Sequence, residues 1–150
     1  MPCGKCANCL RNKQIAWCNR LQLHDSYFKY SHFITLTYDD LYCPYFNTKT
    51  GDIFRICELL KVDDDLLQYS VPCVLKKDLH DFVHKLRKYV DNHYNLERIK
   101  PLPADLKLSF FAVSEYGMQN YRPHYHLLLF HNIDNLHKNI LSIVQKCWDM

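Results

Sequence analysis

The chain has 150 residues, nearly half of them hydrophobic, with 14% aromatics and three glycines, which excludes a disordered or low-complexity protein and fits one domain with an ordinary core. No apolar run is long enough to span a membrane and residues 1–8 hold no apolar signal core, so a cytosolic protein is expected. The net charge of +3 permits a polyanionic partner without demanding one.

Charge is unevenly spread. Residues 1–30 carry Lys5, Arg11, Lys13, Arg20 and Lys29 against Asp25, and 76–88 is again basic, while 52–65 is acidic between them. Eight cysteines in a cytosolic chain suggest thiols or metal ligands before disulfides. Cys3, Cys6 and Cys9 form a C-x2-C-x2-C run with Cys18 nine residues on. Thiolates so spaced can converge on Zn2+ or an iron–sulfur cluster; the plainer alternative is a flexible basic arm with free thiols.

Ile15, Ala16, Trp17, Cys18, Leu21 and Leu23 then fit a short helix. Residues 31–38, rich in β-branched and aromatic side chains, predict a central strand that ends at Asp39-Asp40. From Leu41 to Pro72 the pattern loosens into an insertion of short strands or a short helix, with a turn at Thr50-Gly51-Asp52. Asp63-Asp64-Asp65 reads as a solvated turn or a helix start. Leu75, Leu79, Phe82, Val83, Leu86 and Val90 make the apolar stripe of a helix over 74–90. Its other face holds Lys76, Lys77, Lys85, Arg87 and Lys88, either solvated or set along a phosphate backbone. A second strand is expected over 106–115, and Asp134 can cap a final helix carrying Leu136, Ile140, Ile143, Val144 and Trp148. The sequence stops at Met150, inside or just after that helix.

Between these lies Arg122-Pro123-His124-Tyr125-His126 followed by Leu127-Leu128-Leu129-Phe130. Alternation along a strand puts His124 and His126 on one face. The turn 116–121 is short enough for a hairpin, which makes Glu115 a neighbour of both imidazoles. Glu115, His124 and His126 then form a three-ligand, open metal site, whose mixed oxygen and nitrogen donors suit Mg2+ or Mn2+.

Phe33-Ile34-Thr35-Leu36-Thr37-Tyr38 and His124-Tyr125-His126 resemble the first and second motifs of the HUH single-strand endonucleases, with Glu115 at their acidic ligand. With Pro2-Cys3-Gly4-Lys5-Cys6 and Glu115-Tyr116-Gly117, the wording is similar to replication initiators of gokushovirus-type Microviridae, single-stranded DNA phages. The resemblance implies an α+β, RRM-like fold with a central antiparallel sheet flanked by helices, over 26–150, behind a basic Cys-rich arm and short helix at 1–25. It also implies metal-dependent nicking and joining of single-stranded DNA at the phage origin through a 5'-phosphotyrosine, in the cytoplasm of the bacterial host, with host replication proteins as candidate partners. Arg122, the basic helix and the Lys and Arg of the basic N-terminal arm are the expected DNA contacts, with bases stacking on exposed aromatics near the sheet.

One departure stands out: that family's nucleophilic tyrosine follows the histidine strand, yet no tyrosine occurs after Tyr125. The chain looks truncated before its nucleophile, which is expected beyond Met150. Tyr27 and Tyr30 are formal substitutes on a relaxase-like order. Two other readings remain open: a DNA-binding or regulatory module without a nucleophile, and a small zinc protein in which the cysteines and histidines are structural ligands.

Overall fold

The computed structural model describes residues 3–59, 61, 64–118 and 120–149, and the chain is α+β. Strands β1 (Tyr30–Thr37), β5 (Ser109–Tyr116) and β6 (Pro123–His131) form an antiparallel sheet in the order β1-β6-β5. The histidine strand is therefore central. Thr37 and Glu115 both pair with His124, and Thr35 and Val113 both pair with His126. Residues directly opposite in a ladder share a face, so these six side chains lie together.

The other face is the core. Ile34, Leu36, Tyr125, Leu127 and Leu129 are buried there against helices α3 (Lys76–Tyr94) and α4 (Asp134–Cys147). From α3 come Phe82, Val83, Leu86 and Val90, and from α4 Leu136, Ile140, Ile143 and Val144. Both stripes follow the expected helical spacing. Leu75, expected inside the stripe, is instead the residue that caps α3. Likewise, Ile133 and not Asp134 precedes α4, and it makes no side-chain capping bond. Asp134 is drawn elsewhere, accepting charge-assisted hydrogen bonds from Lys29 Nζ at 2.6 Å and Tyr30 Oη at 2.7 Å. Helix α4 ends at Cys147, ahead of the chain's last residue, with Trp148 as its C-cap. Met150, the point beyond which the nucleophile is expected, lies outside the described residues.

Helix α1 (Ala7–Asp25) runs through 19 residues, longer than the apolar pattern suggests, because nothing from Ala7 onward breaks it. None of its residues is buried. It crosses the open face of the sheet: Trp17 packs on Phe111 with ring centroids 5.1 Å apart, and His24 meets Phe130 edge-on at 5.1 Å. His24 Nε2 also lies 2.7 Å from Ser109 Oγ. The end of that face around His124 stays uncovered by these contacts.

The insertion forms a second small sheet from β2 (Pro44–Asn47), β3 (Ile53–Arg55) and β4 (Ser70–Pro72), in the order β3-β2-β4, with a five-residue helix α2 (Asp64–Gln68). Gly51 makes the expected turn at φ +80°, where a side chain is disfavoured. Asp64 opens α2, whereas Asp63 lies outside the described residues. The strand expected over 106–115 starts later, since Leu106 belongs to a 3-10 turn (Ala104–Leu106).

Candidate functional site

Three chain segments build one end of the open face: the end of β1, the end of β5 and the start of β6. The β5–β6 turn closes through hydrogen bonds from Gly117 N to Arg122 O and from Tyr121 N to Gly117 O, both 3.0 Å, with Tyr121 in the left-handed region at φ 49°. This sets Glu115 directly beside His124. Glu115 Oε2 lies 3.3 Å from His126 Nε2 and 3.9 Å from His124 Nε2. One ligand atom from each of Glu115, His124 and His126 falls within 4.8 Å of the other two.

The far side of each ring is held. His124 Nδ1 is 3.3 Å from the Arg122 carbonyl oxygen, which can only accept, so Nδ1 carries the proton and Nε2 keeps its lone pair. His126 Nδ1 is 3.0 Å from Thr35 Oγ1. Ligating histidines commonly bond an oxygen through the second nitrogen, and both rings here meet that condition. Phe33, largely exposed, stacks on the His126 ring at 5.4 Å and 17°. A carboxylate and two half-buried imidazoles, open to solvent on one side, fit a divalent ion with free coordination positions.

Of the basic residues expected to contact DNA, Arg122 alone stands beside this trio. It pairs with Asp40, donates to the Tyr38 carbonyl at 3.4 Å, and borders a recess of about 500 Å³ with Thr37, Asn120 and His124. Lys76, Lys77, Lys85, Arg87 and Lys88 lie on α3, beneath the opposite face. There Lys77 pairs with Asp81 at 2.7 Å and Arg87 covers the Phe110 ring at 5.4 Å. On the open side α1 adds positive charge, with Arg20 over Trp17 at 5.3 Å.

Nor does the structure bring Tyr30 to the trio. It pairs with His131, seven residues from Thr37 along β1, about 23 Å at strand rise. Its side chain lies on the core face, where it stacks on His137 and donates to Asp134. Tyr27 is exposed in the turn after α1.

At the other end of the chain, Cys3, Cys6 and Cys9 bring their sulfurs within 4.8 Å of one another, whereas Cys18 does not join them. Cys9 and Cys18 sit on the same helix, roughly 13 Å apart along its axis. The Cys3 thiol is pulled down to about 6, chiefly by the backbone N–H of Lys5 and then that of Cys6, which lies 3.3 Å from the sulfur.

The sequence reading missed the frame behind the site. Tyr38 Oη donates to Asp78 Oδ2 at 2.5 Å, and Arg55 Nη2 donates to Asp78 Oδ1 at 2.6 Å. Tyr125 Oη, 3.1 Å from Tyr38 Oη, donates to Leu75 O at 2.8 Å. Trp148 Nε1 donates to Thr37 O at 2.6 Å. Asp78 had one available signal: with Phe82, Leu86 and Val90 it continues the four-residue spacing of the apolar stripe.

Residues 31–150 match the family described as Replication-associated protein ORF2/G2P. The chain is 27% identical over 144 residues to Replication-associated protein ORF2 of Spiroplasma virus 4, covering 95% of this chain and 35% of the relative. To Replication-associated protein ORF4 of Chlamydia phage 1 it is 26% identical over 130 residues, covering 87% and 24%. It thus spans about a third and a quarter of the curated relatives' lengths. No solved structure matches it significantly. Among the described residues, no helix is long and apolar enough to cross a membrane.

Proposed function

The chain belongs to the Replication-associated protein ORF2/G2P family, and from that premise we propose that it is the metal-binding and strand-binding part of an HUH-type initiator that nicks and rejoins single-stranded DNA at a phage origin. The resemblance to phage replication initiators holds at the level of the family. The observation that carries the finer reading is the convergence of Glu115, His124 and His126 at an uncovered end of the sheet.

Those three residues would hold Mg2+ or Mn2+, which when bound polarises the scissile phosphate and offsets charge developing on its oxygens. Phe33 offers an exposed ring for base stacking, and Arg122 lies near enough to take a phosphate in exchange for Asp40. A tyrosine hydroxyl attacks phosphorus in this reading, forming a 5'-phosphotyrosine and freeing a 3'-hydroxyl, and reversal rejoins the strand. Residues 126–150 contain no tyrosine, and Tyr30 is far from the trio. These 150 residues are therefore expected to bind metal and single-stranded DNA without cutting it.

The test incubates the protein with origin-containing single-stranded DNA and Mn2+, measuring binding by titration and covalent adduct by denaturing gel. Binding that weakens on Glu115→Ala, with no adduct, is the expected result. An adduct lost on Tyr27→Phe or Tyr30→Phe would replace this reading with a relaxase-like order. DNA binding indifferent to Mn2+ and to Glu115→Ala would favour a regulatory binding module instead.

A second metal is favoured by a separate observation. Cys3, Cys6 and Cys9 cluster with one thiol already acidified, a donor set that suits Zn2+. Zinc held there should survive dialysis and be released by thiol alkylation, while Mn2+ at Glu115 should wash out with EDTA.

A further inference from the structure

We propose that Thr35 is a positioning residue for the Glu115-His124-His126 site: its hydroxyl lets His126 move its ring proton between the two nitrogens as the metal comes and goes. The inference rests on reading that trio as a metal site. The two histidines are held differently, and the difference lies in what each Nδ1 faces.

His124 Nδ1 faces a backbone carbonyl, the oxygen of Arg122. A carbonyl only accepts, so the proton stays on Nδ1 and Nε2 presents a lone pair whether or not a cation is bound. His126 has no such constraint. Its Nε2 is 3.3 Å from Glu115 Oε2, and an ionised carboxylate also only accepts. In the absence of a cation the favourable arrangement places the proton on Nε2, the nitrogen turned toward the Glu115 carboxylate. Nδ1 is then bare and needs a donor, which Thr35 Oγ1 supplies from 3.0 Å.

A cation at Nε2 requires the lone pair there. The Nε2 proton then leaves to solvent, one is taken up at Nδ1, and the ring stays neutral. Nδ1 has become the donor, and the Thr35 hydroxyl turns to accept from it without any heavy atom moving. A hydroxyl serves both states in one position; a carbonyl or an apolar group does not. Thr35 is placed for this by register, directly opposite His126, and branching at Cβ restricts its χ1. Phe33, stacked on the other flank of the His126 ring, favours a proton shift over a ring flip.

The experiment combines long-range 15N–1H NMR of the histidine rings, with and without saturating diamagnetic Mg2+, and Mn2+ titration of the wild type, Thr35→Val and Thr35→Ser. Expected without Mg2+ are Nε2–H on His126 and Nδ1–H on His124. Mg2+ should move the His126 proton to Nδ1 and leave His124 as it was. Thr35→Val, close in shape but unable to accept, should bind Mn2+ about 10–100-fold more weakly, with Thr35→Ser restoring most of the affinity. Wild-type-like Mn2+ affinity in Thr35→Val, or Nδ1–H on His126 before any metal is added, overturns the role of Thr35 alone. Failure of the wild type to bind Mn2+ overturns the metal site and the proposal with it.

Discussion

Asp78 joins three parts of the chain. It sits in the first turn of α3, accepts a hydrogen bond from the Tyr38 hydroxyl just beyond β1, and pairs with Arg55 at the end of β3. Both ionised partners are largely withdrawn from water, with side chains 14% and 4% exposed. Removing Asp78 takes the buried carboxylate from Arg55 while its contacts with Glu58 and the Tyr42 carbonyl remain, and losing one member of a buried pair costs far more than the pair contributes when intact. Asp78→Ala is expected to destabilise the fold by about 3–5 kcal/mol in urea unfolding. Tyr38→Phe keeps the ring packing and leaves Arg55 on Asp78, so its effect should be nearer about 1–3 kcal/mol. Equal effects would mean that the charge pair is not the strong member. Composition could not announce this residue, because an aspartate in a basic helix ordinarily reads as a solvated partner for its lysines, as Asp81 is for Lys77.

At the scale of elements, the strands were legible and the placement of helices on the sheet was not. Alternation in 31–38 and 123–131, with a short turn before the histidines, was enough to foresee that Glu115, His124 and His126 share a face, since side-chain period fixes the face once the register is set. The stripes of α3 and α4 say which side of each helix is buried, but not which side of the sheet it covers. For α3 that is the face opposite the trio, and α1, with no apolar stripe of its own, lies on the same face as the trio through Trp17 and His24. The consequence is testable through salt dependence. Neutralising Arg11, Lys13 and Arg20 together should flatten the slope of log affinity for single-stranded DNA against log salt by about 0.7 for each phosphate they had been neutralising. Neutralising Lys76, Lys85 and Lys88 should change it less. The reverse ranking would mean that the strand is gripped from the α3 side.

Across the whole molecule, the sheet carries two histidine clusters at opposite ends and on opposite faces. Against the trio stand His32, His131 and His137, packed between β1, β6 and α4, with His32 Nε2 3.1 Å from His131 Nε2 and 3.4 Å from His137 Nδ1. His131 is fully buried, and its Nδ1 accepts from the backbone N–H of Ile133 at 3.1 Å, so its proton sits on Nε2 and points at His32. Burial first, then His32 and His137, push the His131 imidazole down to about 4, and burial and His137 lower His32 as well. Tyr30 stacks beside them, and Asp134, the nearest carboxylate of α4, is engaged with Lys29 and Tyr30. An unfolded histidine takes up a proton near pH 6.5, whereas folded His131 resists until about 4. Between those values the unfolded chain binds more protons than the native one, so the stability is fully present above about pH 6.5 and is lost as the pH falls toward 4. Urea unfolding followed from about pH 7.5 to about pH 4.5 should show this decline. His131→Gln, which keeps an acceptor for the Ile133 N–H but carries no titrating proton, should start less stable and decline less steeply. A His131→Gln slope equal to that of the wild type would assign acid sensitivity to His32 or the carboxylates and remove His131 from the account.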